Sequence, residues 1–309
     1  MRLIRGLYNM PGAQRGCALT IGNFDGVHRG HQAVLDQLHA RAAELGLPAT
    51  VMVFEPTPQE YFSPVTAPAR LQRLRDKLTL FRELGVEQVV CLRFDQRLAE
   101  RDAAAFVQDI LVDGLGVRHL VIGDDFRFGK NRSGDFAFLQ QAGQQQGFEV
   151  ISTQTLVESG ERVSSTRVRE ALAAGELKLA EQLLGRPYRI CGRVAPGQRR
   201  GRSIGFPTAN VRLHRTVTPV RGVFAVRAHG VKAHPVTGVA NLGTRPTVCG
   251  SHEMVLETHL FDFDQDIYGH YVDIEFCRKL RDEKKFESFE ALKQQIQRDA
   301  EQARQFFSE

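Results

Sequence analysis

The sequence predicts a parallel-sheet α/β domain followed by a small all-β barrel that ends in a helix. Three observations carry this prediction. Apolar, β-prone runs recur at 17–21, 50–54, 88–92, 119–122 and 148–152, each separated from the next by a helix-like stretch, and such alternation builds a parallel sheet covered by helices. Near Arg186-Pro187 the pattern changes to short alternating runs at 188–194, 222–228, 236–240, 255–260 and 271–276, punctuated by Gly, Pro and Asn, as in small barrels. A last stretch, 288–306, carries Phe289, Leu292, Ile296 and Ala303 as a helical packing face. The expected domains are therefore 1–186 and 187–309.

Composition agrees: 309 residues, 42% hydrophobic and 25% charged, suit two ordinary globular domains. The amino terminus, MRLIRGLYNMPGAQRG, lacks an uninterrupted apolar signal region, and no later run nears the roughly 18 apolar residues of a membrane span. A cytoplasmic location with no membrane partner is expected. Five cysteines (Cys17, Cys91, Cys191, Cys249 and Cys277) are scattered and never form Cys-x-x-Cys, so they predict reduced, mostly buried thiols rather than disulfides or a zinc ribbon. A net charge of +5 fits nucleic acid, anionic small molecules or plain solubility, and only its placement can decide.

Taken in order, the first strand run, CALTI, leads into GNFDGVHRGHQ at 22–32, after which Val34, Leu38, Ala42 and Leu45 recur at helical spacing. This is a strand-to-helix turn at the carboxyl end of a parallel strand, where ligands of such sheets gather. Glycines let backbone approach a ligand, and the helix amino terminus offers unpaired N–H groups, so phosphate is the usual guest. His28 and His31, three apart, can face one anion; two surface histidines in a polar turn are an equal alternative. A zinc site lacks its third and fourth ligands.

The loop GDDFRFGKNRSGD at 123–135 follows a strand and carries Arg127, Lys130 and Arg132. Five residues rather than four separate Gly123 from Gly129, and Asn131 replaces the Ser/Thr after the lysine, so it is not a P-loop. The glutamines at 140–146 are the polar face of a helix. In SSTRVREAL at 164–172, Ser and Thr precede a helix containing Arg167 and Arg169; taken alone, an ordinary capping arrangement around Thr166 is the favoured reading.

Residues 189–215 hold seven arginines and no acidic residue, usually the mark of a solvated basic face. Here the arginines flank GRSIGFPTAN, where Gly201, Gly205 and Pro207 fix a turn and Thr208 and Asn210 supply neutral oxygens. Mg²⁺ arriving with nucleotide phosphates needs only one or two protein oxygens. Glu257, in VLETHLFDF, shares a strand face with Val255 and His259, either as an arginine's partner or as a general base.

In this order, the motifs resemble the bacterial bifunctional riboflavin kinase and FAD synthetase family along essentially the whole chain. GNFDGVHRGH and SSTRVREAL are similar to its adenylyltransferase signatures, DDFRFGKNRSGD to its flavin- and nucleotide-side loop, and GRSIGFPTAN with NLGTRPT to its kinase module. The resemblance implies a Rossmann-like nucleotidylyltransferase domain over 1–186 and a riboflavin kinase barrel over 187–309. It implies that riboflavin and ATP give FMN and ADP in the barrel, and that FMN and ATP then give FAD and pyrophosphate in the first domain, with Mg²⁺ accompanying ATP.

For the first site the resemblance implies ATP binding by Gly22, Asn23, Phe24, Gly26, His28, His31, Ser164, Ser165, Thr166 and Arg167. His28 and His31 would stabilise the α-phosphate, and Arg167 with its flanking hydroxyls the other phosphates. Asp125 is a flavin-pocket candidate. The chain has no tryptophan, so Phe54, Phe62 and Phe128 are the candidates for flavin stacking, with an ordinary core role as the alternative. For the second site it implies Gly201, Arg202 and Gly205 as the nucleotide loop, Thr208 and Asn210 for magnesium and phosphate, Glu257 as the base for the riboflavin 5′-hydroxyl, and Arg281 and Phe286 closing over flavin. One departure is Thr57, where many members carry His. Two other readings exist: a nucleic-acid binder, for which no reading motif is present so that no nucleic-acid partner is expected, and a single-activity enzyme with one domain kept for binding flavin.

Overall fold

The computed structural model describes residues 1–9, 16–123, 125–153, 156–158, 160–196, 206–213, 215, 217–246 and 252–309. These group into two compact units, Met1–Pro68 with Gln72–Ser164, and Ala69–Leu71 with Ser165–Glu309.

The first unit is a parallel α/β domain. Its strands β1 (Arg2–Arg5), β2 (Cys17–Ile21), β3 (Ala49–Glu55), β4 (Gln88–Arg93), β5 (Val117–Ile122) and β6 (Glu149–Ser152) lie in the order β1-β4-β3-β2-β5-β6, all parallel. The central strands are continuous apolar runs because both faces are covered. On one face Leu35 and Leu38 of α1 (Arg29–Leu45) pack with Val51, Val89 and Phe81; on the other Leu19, Met52, Leu120 and Ile110 form a second cluster. The buried stripe of α1 is Leu35, Leu38 and Ala42, whereas Leu45, expected on it, is exposed. Shorter helices follow: α2 (Pro58–Phe62), α3 (Leu74–Glu83), α4 (Gln96–Ala99), α5 (Ala103–Ala105) running into a wider turn through Val112, and α6 (Phe136–Gln146). A two-residue hairpin, β7 (Val157–Glu158) with β8 (Glu161–Arg162), ends the unit.

The second unit opens with α7 (Ser165–Ala174) and α8 (Leu177–Leu184). Then β9 (Arg189–Ala195), β10 (Ala209–Arg212), β11 (Gly222–His229), β12 (Val236–Pro246), β13 (His252–Leu260) and β14 (Tyr271–Arg281) close an antiparallel barrel in the order β10-β13-β12-β11-β14-β9. Strands β12 and β14 run five or six residues beyond their apolar alternation, because ladder pairing continues where side chains turn polar. The last helix, α9 (Phe289–Ser308), buries Asp299, Ala300 and Ala303 against the barrel, with Phe306 and Phe307 beside them. Phe289, expected on that face, is 60% exposed.

Of the cysteines, Cys17 and Cys91 are buried and Cys191 and Cys277 partly so; Cys249 lies outside the described residues. Burial pushes the Cys17 and Cys277 thiols up to about 12, which leaves them protonated and inert at neutral pH.

Candidate functional site

In the parallel domain the chain winds from β2 outward through β3 and β4, then returns to place β5 on the other side of β2. The loops following β2 and β5 therefore flank the point where the strand order reverses, which is where open α/β sheets hold ligands. The two motifs 22–32 and 123–135 are those loops.

The first loop is forced into an uncommon shape. Phe24 (φ 48°), Gly26 (φ 86°) and Val27 (φ 41°) all occupy the left-handed region, costly for Phe and Val, and the surroundings hold them there. Gly22 N–H donates to Met52 O (3.1 Å), the buried Lys77 ammonium donates to Asn23 O, Gln72 N–H donates to the Asp25 carboxylate (3.2 Å), and the Gln32 amide donates to Val27 O (2.9 Å). The outcome is a fixed pair of imidazoles. His28 is the N-cap of α1, its Nδ1 accepting from His31 N–H at 3.3 Å, and the two rings stack with centroids 3.6 Å apart and 15° between planes. Phe24 packs against His31 at 4.9 Å, and His28 is only 5% exposed. They are built into the turn and are not loose surface groups. Because Nδ1 of His28 accepts, the neutral ring carries its proton on Nε2. Gly30 suits this packing: a Cβ there would lie 3.2 Å from the His28 ring and 3.3 Å from Val163 O, a tight fit.

The loop after β5 is closed on itself by a Phe128–Gly134 bridge and ends with Asp135 capping α6. Phe128 is 7% exposed and packs among Phe106, Phe126 and Phe138, so its ring belongs to the core. Asp125 is exposed and pairs with Arg162 at 3.1 Å. Phe54 is half-buried against Phe94, whereas Phe62 is 65% exposed beside Phe94 and Tyr61. Thr57 caps α2, in a reciprocal pair with Glu60. Helix α7 starts at Ser165, which puts Thr166 and Arg167 inside its first turn; Thr166 is thus not the capping residue. Arg169 donates from Nε to Ala69 O at 2.6 Å.

In the barrel unit, Gly201, Arg202 and Gly205 lie outside the described residues. Thr208 and Asn210 line a cavity of about 280 Å³, together with Asp264, Asp266, Phe263 and Ile267. Asn210 pairs directly with Glu257 across β10 and β13, and Glu257 pairs on its other side with Asn241 of β12. Strand alternation sends Leu256, Thr258 and Leu260 inward and leaves Val255, Glu257 and His259 half-buried on the outer face. Asn210, Glu257 and Asn241 thus form one row on that face.

Two neighbours of this row carry no motif in sequence. His259 donates from Nδ1 to Pro207 O (2.9 Å) between the rings of Phe206 and Phe261, and burial holds its imidazole below the usual histidine range. Glu283 hydrogen-bonds the Asn241 side chain and the Thr244 backbone, and its carboxylate sits where a Cβ on Gly243 would be; burial raises it above the usual carboxylate range. Strand alternation sets His259 on the face of Glu257, whereas only barrel register brings Glu283 to the row, through Asn241. Arg281, a flavin candidate, makes a bidentate pair with Asp299 of α9 (2.9 and 2.7 Å), and its guanidinium lies 5.7 Å from the Phe286 ring.

Comparison with known proteins matches both halves. Residues 10–167 match the FAD synthetase family model and residues 184–307 the riboflavin kinase model. Proteins named bifunctional riboflavin kinase/FMN adenylyltransferase are 53% identical in Escherichia coli K12 (308 residues, 99% of this chain and 98% of that one) and 52% identical in Haemophilus influenzae (308 residues, all of both chains). The Pseudomonas fluorescens protein of that name is 54% identical over 304 residues, 98% of this chain and 97% of its own. A crystal structure of a Streptococcus pneumoniae protein named macrolide-efflux protein superposes with a TM-score of 0.82 at 29% identity, covering 98% of this chain and 99% of its own. Among the described residues no helix is long and apolar enough to cross a membrane. With both domain models matched in order and relatives above half identity along the full length, the chain belongs to the bifunctional riboflavin kinase/FMN adenylyltransferase family.

Proposed function

We propose that residues 187–309 phosphorylate riboflavin and residues 1–186 adenylylate the FMN so formed, each with its own ATP. The chain is a flavin-cofactor transferase with riboflavin kinase and FMN adenylyltransferase activities. In the kinase reaction the riboflavin 5′-oxygen attacks the γ-phosphorus, the bond to ADP breaks, and the hydroxyl proton passes to Glu257. The observation that carries this assignment is the pairing of Glu257 with Asn210 across one ladder, which sets a carboxylate beside the polar lip of the cavity. The Thr208 hydroxyl and Asn210 amide oxygen are the donors a well-hydrated Mg²⁺ with phosphate ligands requires, and both line the cavity. That ion, when bound, offsets phosphate charge; the protein groups orient the nucleotide and hold the proton.

In the adenylyl transfer an FMN phosphate oxygen attacks the α-phosphorus of ATP and pyrophosphate leaves. His28 and His31 stabilise charge on the α-phosphate, and their stacked setting at the start of α1 supports this because no side chain has to reorganise. Phe62 and Phe54 are the stacking surfaces for flavin, and Asp125, in the loop after β5, is a further flavin-pocket residue. For Ser164, Ser165, Thr166 and Arg167 the role in holding phosphates rests on the motif alone. A cytoplasmic site of action fits these substrates.

The two sites separate by mutation. With riboflavin, ATP and Mg²⁺, His31→Ala should make FMN normally while FAD formation falls by on the order of 10² or more. Glu257→Ala should fail to phosphorylate riboflavin, by about 10² to 10⁴, yet still convert supplied FMN to FAD, since FMN's phosphate is already ionised and needs no base. Chromatography of both products checks this. Loss of both steps in Glu257→Ala with unchanged circular dichroism would refute the two-site reading.

A further inference from the structure

Strand β10 pairs with β13 from Ala209 to Arg212: Ala209 faces Thr258, Asn210 faces Glu257, and no rung precedes Ala209. Thr208 and Pro207 overhang its end. Proline has no N–H to give to a ladder, so Pro207 can be held only through its carbonyl. That carbonyl accepts from His259 Nδ1 at 2.9 Å, and His259 is the residue of β13 that would face Thr208 if the ladder continued. The imidazole stands in for the missing rung. Its orientation is set by edge-on packing against Phe206 (5.1 Å) and Phe261 (5.8 Å), with the Arg304–Asp262 pair beside it.

From this geometry we infer that His259, on the same strand that carries Glu257, is a positioning residue of the kinase site: through Pro207 it fixes Thr208 at the lip of the nucleotide cavity. This rests on the assignment of Thr208 and Asn210 to nucleotide and magnesium given above. Without the tie, the Thr208 hydroxyl is displaced relative to Asn210, and a donor pair set for one cation and one phosphate loses its spacing. Misplacements on the scale of an ångström are costly when two groups must engage one ligand. Glu257 lies within the ladder, so its own position does not depend on the tie.

The test compares His259→Phe, which keeps an aromatic ring between Phe206 and Phe261 but has no donor, with His259→Asn, whose side-chain N–H can replace Nδ1–H. In the full-length chain, MgADP binding by calorimetry should weaken about tenfold in His259→Phe, the size of one hydrogen bond of about 1.4 kcal/mol. The Mg²⁺ concentration for half-maximal riboflavin phosphorylation should rise as well. His259→Asn should restore both, and conversion of FMN to FAD should be unchanged in both variants. Wild-type MgADP affinity in His259→Phe overturns the inference. So does equal loss in His259→Asn when its melting temperature is that of the wild type, because the ring and not its donor would then matter. Thr208→Ala separates the two claims: if it binds MgADP normally, the assignment of Thr208 fails; if it binds weakly while His259→Phe does not, the positioning role fails alone.

Discussion

Arg281 and Asp299 show how a residue legible in sequence as a ligand candidate can also carry a structural pair that the sequence does not announce. The arginine in LRDEKKF resembles a group that closes over flavin, and in the structure its guanidinium pairs with the Asp299 carboxylate, which is 4% exposed and also accepts from Gln295. The pair fastens α9 to the end of β14. Removing one partner of a buried, bidentate pair strands the other charge, so Asp299→Ala should cost about 3–5 kcal/mol, measured as a fall in urea midpoint. Arg281→Lys should cost less but still destabilise, since an ammonium cannot span both oxygens. His28, His31 and Glu257 are legible as candidates because glycine spacing and strand alternation single them out locally. The ties of His259 and Glu283 are not: their partners, Pro207 at the end of β10 and Asn241 on β12, lie far off in sequence and are brought close only by closure of the barrel.

At the scale of elements, β5 and β6 contain a device that periodicity also concealed. His119 sits in β5 with 1% exposure, its Nδ1 donating to Glu149 of β6 at 3.0 Å, while Arg41 of α1 holds the same carboxylate at 2.9 Å. His119 Nε2 has no hydrogen-bond partner among the described residues. Burial holds this imidazole below the usual histidine value, so the folded form prefers the neutral ring. Its contribution is complete above the unfolded value of about 6.5 and is lost as pH falls below it, because the unfolded chain then binds the proton more readily. The Arg41 guanidinium holds Glu149 below the usual carboxylate range, which delays any loss from that group to more acidic conditions. Thermal unfolding should therefore show the melting temperature dropping between pH 7.5 and 5.5, and His119→Gln should reduce that slope even if it lowers stability at pH 7.5. An unchanged slope would assign the drop elsewhere.

For the whole molecule, the alternation of strands and helices was enough to foresee a parallel domain and a barrel, since both patterns are properties of short windows. What holds each unit together is longer-ranged. The onset of alternating runs at Arg186-Pro187 marks where the barrel strands begin, yet contacts group α7, α8 and a three-residue segment, Ala69–Leu71, with the barrel. Each carbonyl of that segment is gripped by a different side chain: Ala69 by Arg169 of α7 (2.6 Å), Arg70 by Arg215 (2.9 Å) and Leu71 by the hydroxyl of Tyr188 (3.1 Å). Tyr188 and Leu71 are 3% and 1% exposed, so a fragment of residues 187–309 bares an aromatic ring and leaves two polar side chains without these partners. The residues assigned to the kinase site all lie within 187–309, and the chemistry should survive excision while stability should not. Fragment 187–309 should unfold at lower urea concentration than fragment 165–309, which keeps the α8 packing on β14. In the full-length chain Tyr188→Phe, which deletes the hydroxyl that donates to Leu71 O, should cost about 0.5–1.5 kcal/mol with kinase turnover retained. Equal midpoints for the two fragments, together with a silent Tyr188→Phe, would mean that the clasp adds nothing to the barrel and that its stability resides in the six strands and α9.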